Sequence, residues 1–240
     1  MKLPVWFWIP AAVLSTVAAV MCFVPLFDLL GYEFCFALGL IAAPCAGIIG
    51  VGSASSGTPQ WQRSTGLALL ALAPAFVLIS LNALRVQNCD YVEGLLFFLA
   101  LPVASAAYGS ALGHAVGLLG PKRKALWLAA LLLWPLGARL LSLYTEPQIF
   151  VFDHLWGHFA GSLYDETIIL DGRALWWRGG TLLRIALVIA LTTVALRTGR
   201  RALALIVFLL LGWAYDEWAG SVGGYRLDRG DTEFHLSVVV

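Results

Sequence analysis

The sequence predicts an all-α, polytopic membrane protein with about seven transmembrane helices, its N-terminus inside and its C-terminus outside. Three observations predict this. Of 240 residues, 60% are hydrophobic and only 12% charged, whereas a soluble domain carries about 25% charged residues. Mean hydropathy is +0.85, and apolar runs long enough to cross a bilayer recur along the chain. The acidic residues are segregated between alternate loops. A soluble helical domain would show polar faces, and these runs are apolar all round. The net charge of +1 excludes the basic footprint expected of a nucleic-acid partner.

The expected spans are Val5–Phe27, Phe34–Gly52, Gly66–Leu84, Gly94–Leu119, Ala125–Thr145, Thr181–Leu196 and Arg201–Trp218. The first, in "MKLPVWFWIPAAVLSTVAAVMCFVPLF", has the single early Lys of a signal peptide. Its apolar stretch is nevertheless long enough to span, and Met21 before Cys22 disfavours lipoprotein cleavage, so it reads as an uncleaved helix. The sixth is short and can begin near Trp176. Pro25, Pro44, Pro74, Pro102 and Pro135 fall in or at the ends of spans, where prolines are tolerated and give kinks.

Numbering the loops alternately fixes the orientation. One side holds Lys2, Arg63, Lys122, Arg123, Lys124, Arg197, Arg200 and Arg201 and no acid. The other holds all 14 acidic residues. Short basic loops stay cytoplasmic, which puts residues 146–180 and the C-terminus on the outer side. The chain therefore divides into a transmembrane helical domain, 1–220, with an extracytoplasmic loop, 146–180, and an extracytoplasmic linker and strand-like tail, 221–240.

Cys45 lies deep in the second span and reads as a small apolar filler. Cys35 and Cys89 fall near the outer, oxidising surface, where a disulfide between them can form and Cys22 can replace either. Ionisable residues within spans are costly and are functional candidates by default. Here they are His114, Arg139 and Arg184. His114 has small neighbours, Gly113, Ala115 and Gly117, which let another helix approach closely. The two arginines lie near outer helix ends. They either snorkel outward or share a polar layer in which Asp153, Asp165 or Glu166 pairs with them and draws the loop down.

That loop carries "FDHLWGHFAGSLYDE", residues 152–166. His154 and His158 are spaced i, i+4, so a helix would put both on one face, and with Asp165 they can ligate zinc. The zincin pattern, however, places Glu directly after the first His. Leu155 stands there, and Gly157 weakens any helix through the pair. The aromatics, Trp156, Phe159 and Tyr164 among them, fit an interfacial loop with histidines and acids toward water.

The segment "EPQIFVFDHLWGHFAGSLYDE", Glu146 to Glu166, resembles one in bacterial, largely myxobacterial-type, membrane proteins. In these a multi-helix N-terminal region precedes an extracytoplasmic peptidase-MA-like domain. The resemblance runs through Asp153, His154, Gly157, Gly161, Tyr164, Asp165 and Glu166. It implies a multi-pass protein of the bacterial inner (cell) membrane. The family's HExxH signature is absent from this chain, so protease chemistry does not carry over.

The tail "TEFHLSVVV" alternates with a strand period. An isolated strand seeks an edge, either on a partner's sheet or as the first strand of a following domain. No Walker A, GxGxxG or GxSxG pattern occurs. "GVGSASSGTPQ", 50–60, reads as a flexible cytoplasmic loop. Ser53 and His114 both lie toward the inside, with nothing in the sequence to orient them for Ser–His chemistry. The leading expectation is an integral membrane anchoring or assembly module that positions the outer loop and C-terminal segment, or a protein partner, with the lipid bilayer as its other partner. The alternatives are a transport or channel component along His114, Asn82, Arg139 and Arg184, and a metal-dependent enzyme at His154, His158 and Asp165.

Overall fold

A computed structural model describes residues 3–54, 59–88, 90–120, 122–145, 151–159, 170 and 172–223. Among them the helices are α1 (Val5–Met21), α2 (Tyr32–Ser53), α3 (Trp61–Asn82), α4 (Tyr91–Phe98), α5 (Ala104–Leu119), α6 (Lys124–Thr145), α7 (Gly172–Thr198) and α8 (Arg201–Gly223). α4 runs into α5 through a π-helical turn, Leu99–Val103, that contains Pro102. Pro102 has no N–H to give the helix ladder, and a widened turn absorbs the gap without breaking the rod. Five rods, α2, α3, α4–α5, α7 and α8, are long and apolar enough to cross a membrane, while α1 and the Lys124–Ala138 part of α6 are shorter apolar helices.

Small residues organise the centre. α2 and α5 make the most extensive helix–helix contact described. Gly109, Gly113 and Gly117 recur every fourth residue on α5 and face Ala43, Gly47 and the Val51–Ala54 turn of α2. A methyl group added at Gly113 would overlap the Gly47 carbonyl oxygen, and one at Gly109 the Ala43 carbonyl oxygen. The backbones are thus as close as small-residue seams in lipid allow, where packing substitutes for the absent hydrophobic driving force. This bears out the close approach expected around His114. Gly94, at the start of α4, meets Leu30, just before α2. Gly117, near the end of α5, meets Ala54, just after α2, so the two rods run in the same direction.

Two apolar clusters flank this pair. One joins α1, α2 and α3 through Phe7, Leu14, Phe34, Leu38 and Leu72. The other joins α5, α6 and α7 through Tyr108, Leu112, Leu128, Leu132 and Val188. α8 packs mainly on α7 and turns Leu205, Leu209 and Trp213 outward, as α6 does Leu133 and Trp134. Such exposed apolar faces suit lipid.

Two boundaries differ from the sequence expectation. α7 begins at Gly172, nine residues before the expected Thr181 and ahead even of the start near Trp176 that the sequence allowed, so the loop does not reach residue 180. α8 continues to Gly223, five residues beyond the expected end at Trp218, so Asp216 and Glu217 lie well inside the helix. The reason is packing: Trp177 is fully buried and Trp176 sets its ring edge-on to Trp218, 5.7 Å away, which holds the polar-rich ends of both helices in register. At the same end, Asn82 donates to the Asp28 carbonyl at 2.6 Å and Arg85 to that of Cys22. Asn82 therefore fastens the segment between α1 and α2.

Candidate functional site: a clamped hairpin

Residues 151–159 form neither a helix nor a surface loop. β1 (Val151–Asp153) and β2 (Gly157–Phe159) pair antiparallel, Val151 opposite Phe159 and Asp153 opposite Gly157. The turn follows from its residues. Asp153 Oδ1 accepts from the backbone N–H of Leu155 at 2.8 Å and of Trp156 at 2.9 Å, the local bond that makes Asp a turn starter. Gly157 closes the turn at φ 106°, a conformation that favours glycine.

The hairpin tip plugs one end of the bundle. Leu155 is 1% exposed, His154 6% and Asp153 7%. This overturns the interfacial arrangement for Asp153 and His154, which were expected to face water and are buried instead. Four helices hold the hairpin. From α2, Tyr32 Oη donates to the His158 carbonyl at 2.8 Å. Trp156 Nε1 donates to the Leu132 carbonyl of α6 at 3.1 Å, close to where Pro135 interrupts the helix ladder. From α7, Arg178 Nη1 donates to the His154 carbonyl at 3.2 Å. From α8 comes Asp216.

His154 bridges α7 and α8. Its Nε2 lies 2.9 Å from Asp216 Oδ1 and its Nδ1 3.0 Å from Thr181 Oγ1. A carboxylate only accepts, so Nε2 carries a proton; in the neutral ring that burial favours, Nδ1 accepts from the Thr181 hydroxyl, whose other acceptor within reach is the Trp177 carbonyl at 3.4 Å. Burial pulls this imidazole below its ordinary pKa, against the upward pull of the Asp216 carboxylate. The other Asp216 oxygen takes Arg184 Nη2 at 2.6 Å. Arg184 Nη2 also donates to the Gly212 carbonyl at 3.1 Å, and Tyr108 lies near the same arginine.

Arg184 therefore meets an acid, but that acid is Asp216 of α8 and not Asp153 of the loop; a layer shared with Arg139 lies outside the described residues. α7 and α8 run antiparallel, which sets Asp216 beside Arg184, while Asp153 is turned onto its own backbone. The side chain of Arg139, and Tyr164, Asp165, Glu166, Cys89 and the strand-like tail, lie outside the described residues. Cys35 is a free, buried thiol with Sγ 3.8 Å from the Gly94 carbonyl.

His154 and His158 do not share a helical face. His158 sits across the hairpin, stacked on Phe152 with centroids 4.0 Å apart and 6.3 Å from the Trp177 ring. Among the described residues no three His, Cys, Asp or Glu side chains are grouped as metal ligands.

The opposite end of the bundle holds the second buried histidine, which is 0% exposed. Ser53 Oγ lies 3.0 Å from His114 Nδ1, and the backbone N–H of Gln60 donates to Nε2 at 3.2 Å. The structure thus orients the pair that the sequence left unoriented, but with the wrong proton for nucleophilic chemistry. Nε2 accepts from an amide, so Nδ1 bears the hydrogen and donates to Ser53, whose own hydroxyl donates to the Gly50 carbonyl at 2.8 Å. With Trp61 packed edge-on at 4.6 Å, His114 pins the end of α2 to the start of α3. The segment 50–60, read as a flexible loop, is fixed at both of its ends.

Asp216, Thr181, Arg178 and Tyr108 were missed as site residues. One signal was available: Asp216 follows Gly212 by four residues in an otherwise apolar run, a spacing that puts a small residue beside an acid on one helical face. Comparison with protein-family models, with curated proteins and with solved structures finds no match.

Proposed function

We propose that the chain is a multi-pass membrane module that anchors and positions an extracytoplasmic segment or a partner protein. One observation carries this reading: a nine-residue hairpin, 151–159, is bonded to α2, α6, α7 and α8 at once. Loops that gate or turn over substrate are drawn from the weakly held parts of a fold. A hairpin fastened to four helices is suited to hold what is attached to it in a fixed place. The charge asymmetry between alternate loops supports an N-terminus inside and a hairpin outside, and the resemblance of residues 146–166 supports a bacterial inner membrane.

Reporter fusions after Lys124 and after Gly223 test the orientation. The expected result is a cytoplasmic signal at the first and an outer signal at the second; the reverse sinks the reading. Pull-down with and without residues 225–240 tests the positioning role. Loss of partners on truncation supports it, and an unchanged partner set counts against the tail. Metal analysis of the purified protein tests the competing zinc reading, which predicts stoichiometric metal and destabilisation by a chelator.

A further inference from the structure

Nitrogen atoms with no acceptor among the described residues, shut off from solvent, gather on α7 beside the hairpin: Nε and Nη2 of Arg178, Nε1 of Trp177 and Nε of Arg184. Buried donors in a folded protein are almost always satisfied, and exceptions point to an ion, a water or a ligand role. The two arginines are not equivalent. Arg184 uses Nη2 on Asp216 and on the Gly212 carbonyl, so neither edge that includes Nη2 is open. Arg178 makes both of its hydrogen bonds through Nη1, to the His154 carbonyl and to Thr181 Oγ1, each at 3.2 Å. Its Nε and Nη2 form the other edge of the guanidinium, two parallel N–H bonds that match the two oxygens of one carboxylate or phosphate. The guanidinium lies over the Trp177 ring, 3.6 Å from its centroid, which fixes the plane of the fork.

Charge selects the class of ligand. Arg178 and Arg184 bring two positive charges to this end, and Asp153 and Asp216 two negative ones. Among the described residues, the His154 ring and the hydroxyls of Tyr108 and Tyr215 are the other titratable groups beside them. Counted over the described residues, two positive charges face two negative ones before any ligand arrives. A doubly charged group would leave excess negative charge where water is excluded, and desolvated charge is costly.

We propose that the Nε–Nη2 edge of Arg178, supplemented by Trp177 Nε1, binds a singly charged group that presents two oxygens, of the phosphodiester or carboxylate type. A lipid headgroup and a small free anion both offer this chemistry.

The test uses the full chain in detergent. Thermal unfolding is followed against dimethyl phosphate and acetate, with sodium chloride at equal ionic strength as the reference, and native mass spectrometry looks for retained phospholipid. The expected result is a saturable rise in unfolding temperature with at least one probe, weakened roughly tenfold or more in Arg178→Lys, which keeps the charge but not the fork. Dimethyl phosphate binding with retained phospholipid assigns the lipid source; acetate binding without it assigns a free anion. If Arg178→Lys does not fold, Trp177→Phe is titrated in its place, with weaker binding expected from loss of the Nε1 donor. No rise above chloride together with no retained lipid overturns the proposal, as does an affinity unchanged in the variant.

Discussion

The two ends of the bundle solve one problem with different chemistry. Each buries a histidine whose two ring nitrogens join separate elements. At the Ser53 end the partners are a hydroxyl and a backbone amide. At the hairpin end they are a hydroxyl and a carboxylate that also holds an arginine. The first network contains no formal charge; the second is built on the Asp216–Arg184 ion pair. A neutral network loses a hydrogen bond or two when a member is removed. A charged one leaves an ion without its counterion, and that penalty is larger where water is scarce. The difference teaches that the hairpin is held in an all-or-none fashion, whereas the link between α2 and α3 is held incrementally.

The comparison can be broken experimentally. Asp216→Ala strands Arg184 and frees His154, and should lower stability by about 3–5 kcal/mol. Thermal unfolding in detergent would read this, and proteolysis should cut the hairpin region faster; an effect no larger than that of His114→Ala would erase the contrast. Gly113→Val tests the seam that keeps both ends in register. It forces α5 away from Gly47 backbone that cannot yield, at about 3 kcal/mol, and crosslinks between α2 and α5 should report the separation. His114→Ala removes neutral hydrogen bonds only, for about 1–3 kcal/mol.

The hairpin end should also respond to pH. Burial holds the folded His154 below its unfolded pKa, which is about 6.5. The contribution of its uncharged ring is therefore complete above that value and is lost as pH falls below it. The unfolding temperature of the wild type should drop between about pH 7.5 and 5 by more than that of His154→Gln; parallel curves would remove His154 as the cause. The smallest effect belongs to the exposed Arg63–Gln60 contact, where Arg63→Ala should change stability by no more than about 0.5 kcal/mol.

The long helices were legible because membrane-length apolar runs are strong signals, and each of the five span-length rods overlaps a span expected from sequence. The hairpin was less legible. "DHLWG" carries a turn signal in Asp153 and Gly157, but the i, i+4 histidines imitate a helix, and three-residue strands have too little alternation to outvote them. Arg184 was found because it interrupts an apolar run. Its partner was missed because Asp216 stands beside Glu217 and Trp218 at the expected end of the last span, where an acid reads as the polar edge of a helix.

Local chemistry alone thus determined where the chain prefers lipid, where small residues permit close helix approach and which side chains are too polar to be buried without a partner. It could not determine the pairs. His154 and Asp216 are separated by 62 residues, Ser53 and His114 by 61, and no periodicity in the sequence links such positions. Those contacts exist because helices packed at fixed spacing bring distant polar groups into a volume from which water is excluded. There each must find the partner that geometry supplies, and only the assembled tertiary structure decides which one that is.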